Sequence, residues 1–383
     1  MKKYLKTLST VSLLILSMTS LSQASGPTGT NPENPSLSRG VRPLGMGNAF
    51  VAMPGVDENA FFYNPAAIND YSKTPHFRIL SPAFDMSTGI VSLIKDVKDL
   101  ANTLDSHPST SDKTDDFNSF VNTHTGEFET AQVRLPLLTV MHKWFAASLL
   151  GDSRTTISFR NRTFTNIELF SQNDLGGVIG GAYGFFDDRL QAGVNLKVIH
   201  RVSIDQVITV DDIISNSDFN TVIPRKRATG VGVDLGLKGK IPTFDLPILD
   251  LLKPTAAFAW QDVGNTRFGN GVANTPQSIT LGFGVHPEWN KWQFHIENDF
   301  REINQSKSFL NKWNIGAEVM APRLAKFFQP SVRVGGNQGY LAAGASLDFR
   351  FFKLEFATYG QEAGTYSHSK QIRRIAGNIS FGL

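Results

Sequence analysis

The sequence has no cysteine. That excludes a disulfide framework, a thiolate nucleophile and a lipidated N-terminal cysteine. Charge of one sign is also lacking: Lys2, Lys3 and Lys6 account for the whole excess of 37 basic over 34 acidic residues. The remainder is neutral and shows no basic patch interleaved with aromatics, so nucleic acid is not an expected partner. Nor is there an apolar run of the ~20 residues that a spanning helix needs. The P-loop, His-Glu-x-x-His and Gly-x-Ser-x-Gly motifs are all missing. The eight histidines are scattered. His295 and Glu297 share the polar face of one segment, but no matched serine context accompanies them. The expectation is therefore a protein that is not an enzyme, with no catalytic residue, metal or other cofactor.

What is present begins with an export leader. Lys2, Lys3 and Lys6 form a basic start, an apolar stretch runs from Val11 to Leu21, and Ser22-Gln23-Ala24 is a small-x-small site. Residues 1–24 thus read as a signal peptide for Sec-dependent export. Residues 26–38, rich in Gly, Pro, Ser and Asn, read as a flexible lead-in.

From residue 76 onward the dominant period is two. In Trp292-Gln293-Phe294-His295-Ile296-Glu297 the even positions are apolar and the odd ones polar. Val231 to Lys238, Ile279 to His286, Leu341 to Arg350 and Phe352 to Tyr359 alternate likewise. Successive strand side chains face opposite sides, so each segment has one apolar and one polar face. About fourteen strands follow, near 76–85, 131–141, 143–151, 175–186, 189–203, 228–240, 253–262, 276–287, 291–302, 312–321, 328–336, 340–349, 352–361 and 371–383. Most approach the ~9–11 residues of a tilted membrane strand and exceed the ~5–6 of a soluble one. Short links follow most even strands, whereas long ones (86–130, 152–174, 204–227, 263–275, 303–311, 362–370) follow most odd strands. A transmembrane barrel alternates in this way, with short periplasmic turns and long external loops; a soluble sandwich has no reason to. The exception is the tight turn Asn337-Gln338-Gly339.

Three further patterns agree. Ile375, Gly377, Ile379, Phe381 and Leu383 alternate to the end of the sequence, resembling the terminal strand read by the outer-membrane assembly machinery. Trp144, Trp260, Trp289, Trp292, Trp313, Tyr340 and Tyr359 fall near strand ends, as an interfacial girdle beside outer-membrane lipid requires. Within the first long loop the period changes: Ile90, Leu93, Ile94, Val97, Leu100, Ala101 and Leu104 recur at helical spacing. The fold class is all-β: a transmembrane antiparallel barrel of about fourteen strands over 76–383, with a helical first external loop.

The stretch from Arg39 to Ile68 lacks the two-residue period. It carries Arg42, Gly45, Met46, Gly47, Ala49 and Phe50, then Ala60, Tyr63, Asn64, Pro65 and Ala66. This string resembles the N-terminal hatch of the FadL/PorV-like outer-membrane proteins, with "R-x-x-G-M-G-x-A-F" followed by "A-x-x-Y-N-P-A". The resemblance implies that residues 25–75 form a lead-in and a plug inside the barrel. It also implies carriage of a hydrophobic small molecule, such as a fatty acid, through the outer membrane. The alternative within the same superfamily is a PorV-like partner of secretion-system or surface-attachment proteins, a branch that Gly335-Gly336-Asn337-Gln338-Gly339-Tyr340 favours. In FadL-like proteins a strand kink opens a lateral exit; the candidate here is the strand bearing Gly176, Gly177, Gly180, Gly181 and Gly184. The inward face is expected to hold Lys197, Asp234, Lys238, Glu297, Asp299, Glu318, Asp348, Lys353, Glu355 and Arg374, whose mixed signs suit salt bridges that brace the wall and anchor the hatch.

Overall fold

The computed structural model describes residue 37 and residues 40–106, 109–161, 165–209, 211–212, 224–242, 246–324, 327–349, 351–364 and 369–382. The leader, most of the lead-in and Leu383 lie outside them. Two short helices, α1 (Val41–Gly45) and α2 (Asn59–Tyr63), and a 3₁₀ turn (Pro65–Asp70) precede the first strand. Then comes β1, in two pieces (His76–Ile79 and Ala83–Ser87), followed by the loop helices α3 (Ile90–Ser106) and α4 (Thr110–Thr123). β2 (Phe128–His142), β3 (Phe145–Asn161), β4 (Thr165–Phe185), β5 (Leu190–Thr209) and β6 (Lys226–Lys240) are long. After α5 (Pro247–Leu252) come β7 (Thr255–Gln261), β8 (Ser278–Val285, continued by Glu288–Trp289) and β9 (Trp292–Phe300). The last five are β10 (Trp313–Met320), β11 (Phe328–Asn337), β12 (Tyr340–Phe349), β13 (Phe352–Glu362) and β14 (Gln371–Gly382). Each strand pairs antiparallel with its sequence neighbours, and β14 returns to β1 through Asn378–Ala83 and Gly382–Arg78, closing a 14-strand barrel.

The parity read from the sequence sets the faces. On β9, Gln293, His295, Glu297 and Asp299 point inward, while Ile296 is exposed. On β4, Leu175, Ile179 and Tyr183 are exposed on the outer face, and above Leu175 the outward positions turn polar at Asn173. That change marks the upper limit of the apolar band. Trp144, Phe186, Trp289 and Phe351 are exposed on the short turns at the opposite rim, joined by Ile248 and Leu251 of α5. These turns form the periplasmic girdle. Tyr340 and Tyr359 are not girdle residues: both are buried in the lumen, where the Tyr359 hydroxyl donates to Asp85 at 2.7 Å and that of Tyr340 to Glu362 at 2.8 Å. Proximity to a strand end does not fix a face; parity does.

Two other expectations are corrected. The segment 152–174, read as a long loop, is mostly strand: β3 and β4 pair from Phe145–Gly181 up to Asn161–Thr165. Its polar residues signal emergence from the apolar band, not loss of strand structure. The first strand, expected to be continuous over 76–85, breaks at Leu80-Ser81-Pro82, where Leu80 has φ 58°. Pro82 has no N–H to donate, and β2 is irregular alongside, between Pro136 and Leu138. The helix expected over 89–105 is α3; its partner α4 was not foreseen. Together they pack Ile90, Leu93, Phe117 and Val121 against Phe159 of β3.

Candidate functional site

The stretch from residue 41 to residue 71 fills the lumen, and of these residues only Val56 is exposed. Its turns are built locally. Asn64 caps the 3₁₀ turn by accepting the Ala66 N–H at 3.0 Å, with Pro65 in the first position, where a missing donor costs nothing. The Asn64 amide donates to the carbonyls of Val51 and Leu237, tying the two ends of the hatch to each other and to β6. The Tyr63 ring packs tilted against Phe50, with centroids 5.4 Å apart, and its hydroxyl bonds Asn48. Met46, Ala49, Phe50 and Ala66 are fully buried.

Two glycines are required by close approach. Gly47 has φ 62°, and a Cβ there would lie 2.6 Å from the carbonyl oxygens of Gly336 and Ile315. Gly45 faces Gly344 of β12, whose Cα would be 3.1 Å from its Cβ. Wall glycines answer from the other side: Gly316 and Gly335 receive the Met46 backbone, and Gly193 receives Pro65.

Ion pairs fix the hatch to the wall. Arg42 reaches Asp57 at 2.7 Å and Glu318 of β10 through Nε at 3.1 Å. Arg333 of β11 joins Glu318 at 2.6 Å, and Lys353 of β13 joins Glu355 at 2.7 Å and Asp57 at 3.7 Å. Lys238 of β6 pairs with Asp70. Burial opposes ionisation of Asp57, but Arg42 and Lys353 outweigh it and hold the carboxyl well below the usual carboxylate range. Asp70 is likewise held low, against burial, by Lys238. Burial pushes the Glu58 carboxyl up, although Arg78 stands at 3.4 Å.

The inward charges expected from parity are where the sequence put them. Lys197 pairs with Asp234 at 2.6 Å and Arg374 with Asp85 at 2.9 Å, while Asp348 sits at the rim with Arg323. Sequence reasoning missed the neutral wall residues that hold hatch carbonyls. Asn195 donates to Phe61 at 2.9 Å, Gln261 to Phe62 at 2.6 Å and Asn314 to Gly47 at 2.7 Å. All three occupy inward positions of strands already identified, so parity was the available signal.

On β4, Gly180 and Gly184 make room within the lumen: a Cβ would meet Ile68 at the first and Asn69 at the second. Gly176 faces Ile199, and Gly177 and Gly181 lie on the outer side of the strand. The ladders of β4 to both neighbours run without a register shift.

No family model and no curated protein matches the sequence. Among solved structures, the TodX deltaS2S3 mutant monoaromatic hydrocarbon channel aligns over 90% of this chain and 98% of its own, with 12% identity and a TM-score of 0.50. The P. putida toluene transporter TodX aligns over 91% and 98%, with 11% identity and a TM-score of 0.49. The closed 14-strand barrel thus shares its fold with the TodX channel.

Proposed function

We propose that this barrel binds a hydrophobic small molecule, of which a fatty acid is the type case, and passes it across the outer membrane. The observation that carries this reading is a concavity of about 800 Å³ in the outer wall beside the break in β1. Phe84, Val133, Val332, Leu347, Leu354, Phe356 and Ile379 line it, Ala345 leaves space, and the Phe84 ring lies over Gly377. A convex barrel surface has no such hollow unless the wall bends inward, and its size falls within the ~300–1,000 Å³ of small-molecule sites. Ligand taken up near the external loops passes the hatch when the hatch shifts, then leaves sideways or inward. The sideways route expected at the glycine strand β4 has a second candidate at the β1 seam. There Asn378 bridges the broken ladder, donating to the Ser81 hydroxyl at 3.0 Å. No covalent step is needed. Filling the hollow with Ala345→Trp is expected to lower uptake of a labelled long-chain fatty acid several-fold while the barrel still assembles. Unchanged uptake, with no apolar ligand found by mass spectrometry in purified protein, overturns the reading.

A second reading is supported by the outer side. The β3–β4 hairpin rises beyond the apolar band, and α3 exposes Val91 and Ile94. A PorV-like surface for a secretion-system protein would use such a wall. Finding genes for a secretion apparatus beside this one would favour it.

A further inference from the structure

Two buried carboxylates differ from the other lumen charges. Arg42, Lys238, Glu318, Arg333 and Lys353 all sit in ion pairs. Among the described residues, no basic side chain lies within ion-pair distance of Asp299, and Glu297 has only the His286 ring, with Nε2 at 3.4 Å. Both carboxylates are wholly buried. They face the hatch backbone. Asp299 Oδ2 accepts the N–H of Phe50 at 2.7 Å and of Val51 at 3.0 Å, while its Oδ1 is unbonded. The Ala52 N–H faces Glu297, yet neither Glu297 oxygen is hydrogen-bonded. Gly282 of β8 lets the hatch come this close: a Cβ there would lie 3.1 Å from Val51 Cβ and 3.2 Å from the Ala52 nitrogen.

A line of imidazoles leads away from this pair. His286 and His295 are more than nine-tenths buried and their Nδ1 atoms stand 3.1 Å apart, so one ring donates and the other accepts. Neither Nε2 has a hydrogen-bond partner. With Val56, Asp70, Lys238 and Gln293 they line a chamber of about 490 Å³ among the periplasmic turns.

We infer that Asp299 and Glu297 form a proton-operated clasp on the hatch, reached from the periplasmic chamber through His295 and His286. Two carboxylates at neighbouring inward positions with no lysine or arginine in ion-pair contact do not both stay charged in a dry site, although the Arg301 charge reaches Asp299 and the Lys238 charge reaches Glu297. Asp299 holds the shared charge, because two backbone N–H groups stabilise it. One further proton neutralises it and strips those two bonds of their charge-assisted character, which frees Phe50 to Ala52. The surrounding charges are held in ion pairs. From the hatch and β6 these are Asp70 with Lys238; from the hatch, β10 and β11, Arg42 with Asp57, Glu318 and Arg333. On β9 itself Arg301 donates to the Asn48 carbonyl at 3.3 Å and stacks over Tyr63. Acid therefore loosens one anchor of several, and the hatch swings without leaving the lumen. The clasp deepens the transport reading, since it supplies the hatch shift that reading needs.

The absence of native cysteine makes the test direct. Met53→Cys reports on the hatch and Val56→Cys, at an exposed position, normalises for thiol chemistry. Maleimide labelling of the full chain in lipid nanodiscs is compared at about pH 8 and about pH 5.5, which bracket histidine titration. The expected rise in the normalised rate on acidification is about tenfold. With Glu297→Gln and Asp299→Asn together it is high and independent of pH; with His286→Gln and His295→Gln together its pH response is slowed. A rate that does not change with pH, or a pH response that survives in the double carboxylate variant, overturns the clasp. Hydrogen exchange of amides 50–52 in the unsubstituted chain gives the same answer if a cysteine variant fails to assemble. Neither readout involves ligand: a pH-dependent hatch with no fatty-acid uptake keeps the clasp and removes the transport reading.

Discussion

At the scale of single residues, the hatch is held by groups that tolerate little change. Arg42 joins hatch to wall, and its loss leaves Asp57, among the described residues, with Lys353 at 3.7 Å as its one cation in ion-pair contact. Breaking one partner out of a buried ionic cluster costs about 3–5 kcal/mol. Arg42→Gln is therefore expected to abolish slow hydrogen exchange across residues 41–53 while the strands stay protected; unaltered exchange there would show that the ion pairs do not dock the hatch. The pH sign follows from the depressed Asp57 carboxyl. Its stabilisation is present above the unfolded carboxylate value and is lost only as pH falls through the lower folded value. Mild acid leaves this anchor intact, so early loosening must start elsewhere. Gly47→Ala places a methyl 2.6 Å from two wall carbonyls at positive φ, so hatch and wall must part. Gly264→Ala, also at positive φ but with nothing within 4 Å, carries only the backbone strain of about 1–2 kcal/mol. Comparing melting of the two variants separates crowding from strain; equal losses would mean that the close approach is not what fixes Gly47.

At the scale of elements, each strand is defined by which face meets lipid. Ile296 is exposed on the outer side of β9, and Gln293 points into the periplasmic chamber. Ile296→Arg is expected to cost about 2–4 kcal/mol near mid-bilayer, seen as loss of the compact unheated band on a detergent gel. Gln293→Arg should assemble normally. Equal assembly would place β9 in the wrong register. Strand length and strand continuity had different legibility. The extension of β3, β4 and β5 above the membrane keeps alternation without apolar residues, so hydropathy shortened those strands in the sequence reading. The break at Pro82 was visible as a proline, but its consequence depends on the neighbours that proline disrupts.

At the scale of the whole molecule, wall and hatch are separable. Every rung of the closed ladder lies between strands from residue 76 onward, so no hatch residue supplies one. A barrel lacking residues 41–71 is expected to migrate as a heat-modifiable band, because its backbone is satisfied between staves. Cells carrying it should become sensitive to large antibiotics that are normally excluded. An assembled deletion that remains impermeable would mean that α3 and α4 close the mouth unaided.

The sequence by itself determined the barrel, its strand number, the inward and outward faces, and the stretch that departs from strand periodicity. These are local properties: a period of two, a run length and a link length can each be read within a dozen residues. Only the tertiary structure decided which charge meets which. Arg42 and Glu318 are 276 positions apart, and the Asp299 carboxylate takes the Phe50 N–H across 249. Such partners are set by how the barrel closes and how deep the hatch sits, and neither leaves a local mark. For the same reason the sequence placed Glu297 and Asp299 on the inner face, yet could not show the absence, among the described residues, of any lysine or arginine within ion-pair distance of them. That absence is a property of everything packed around them.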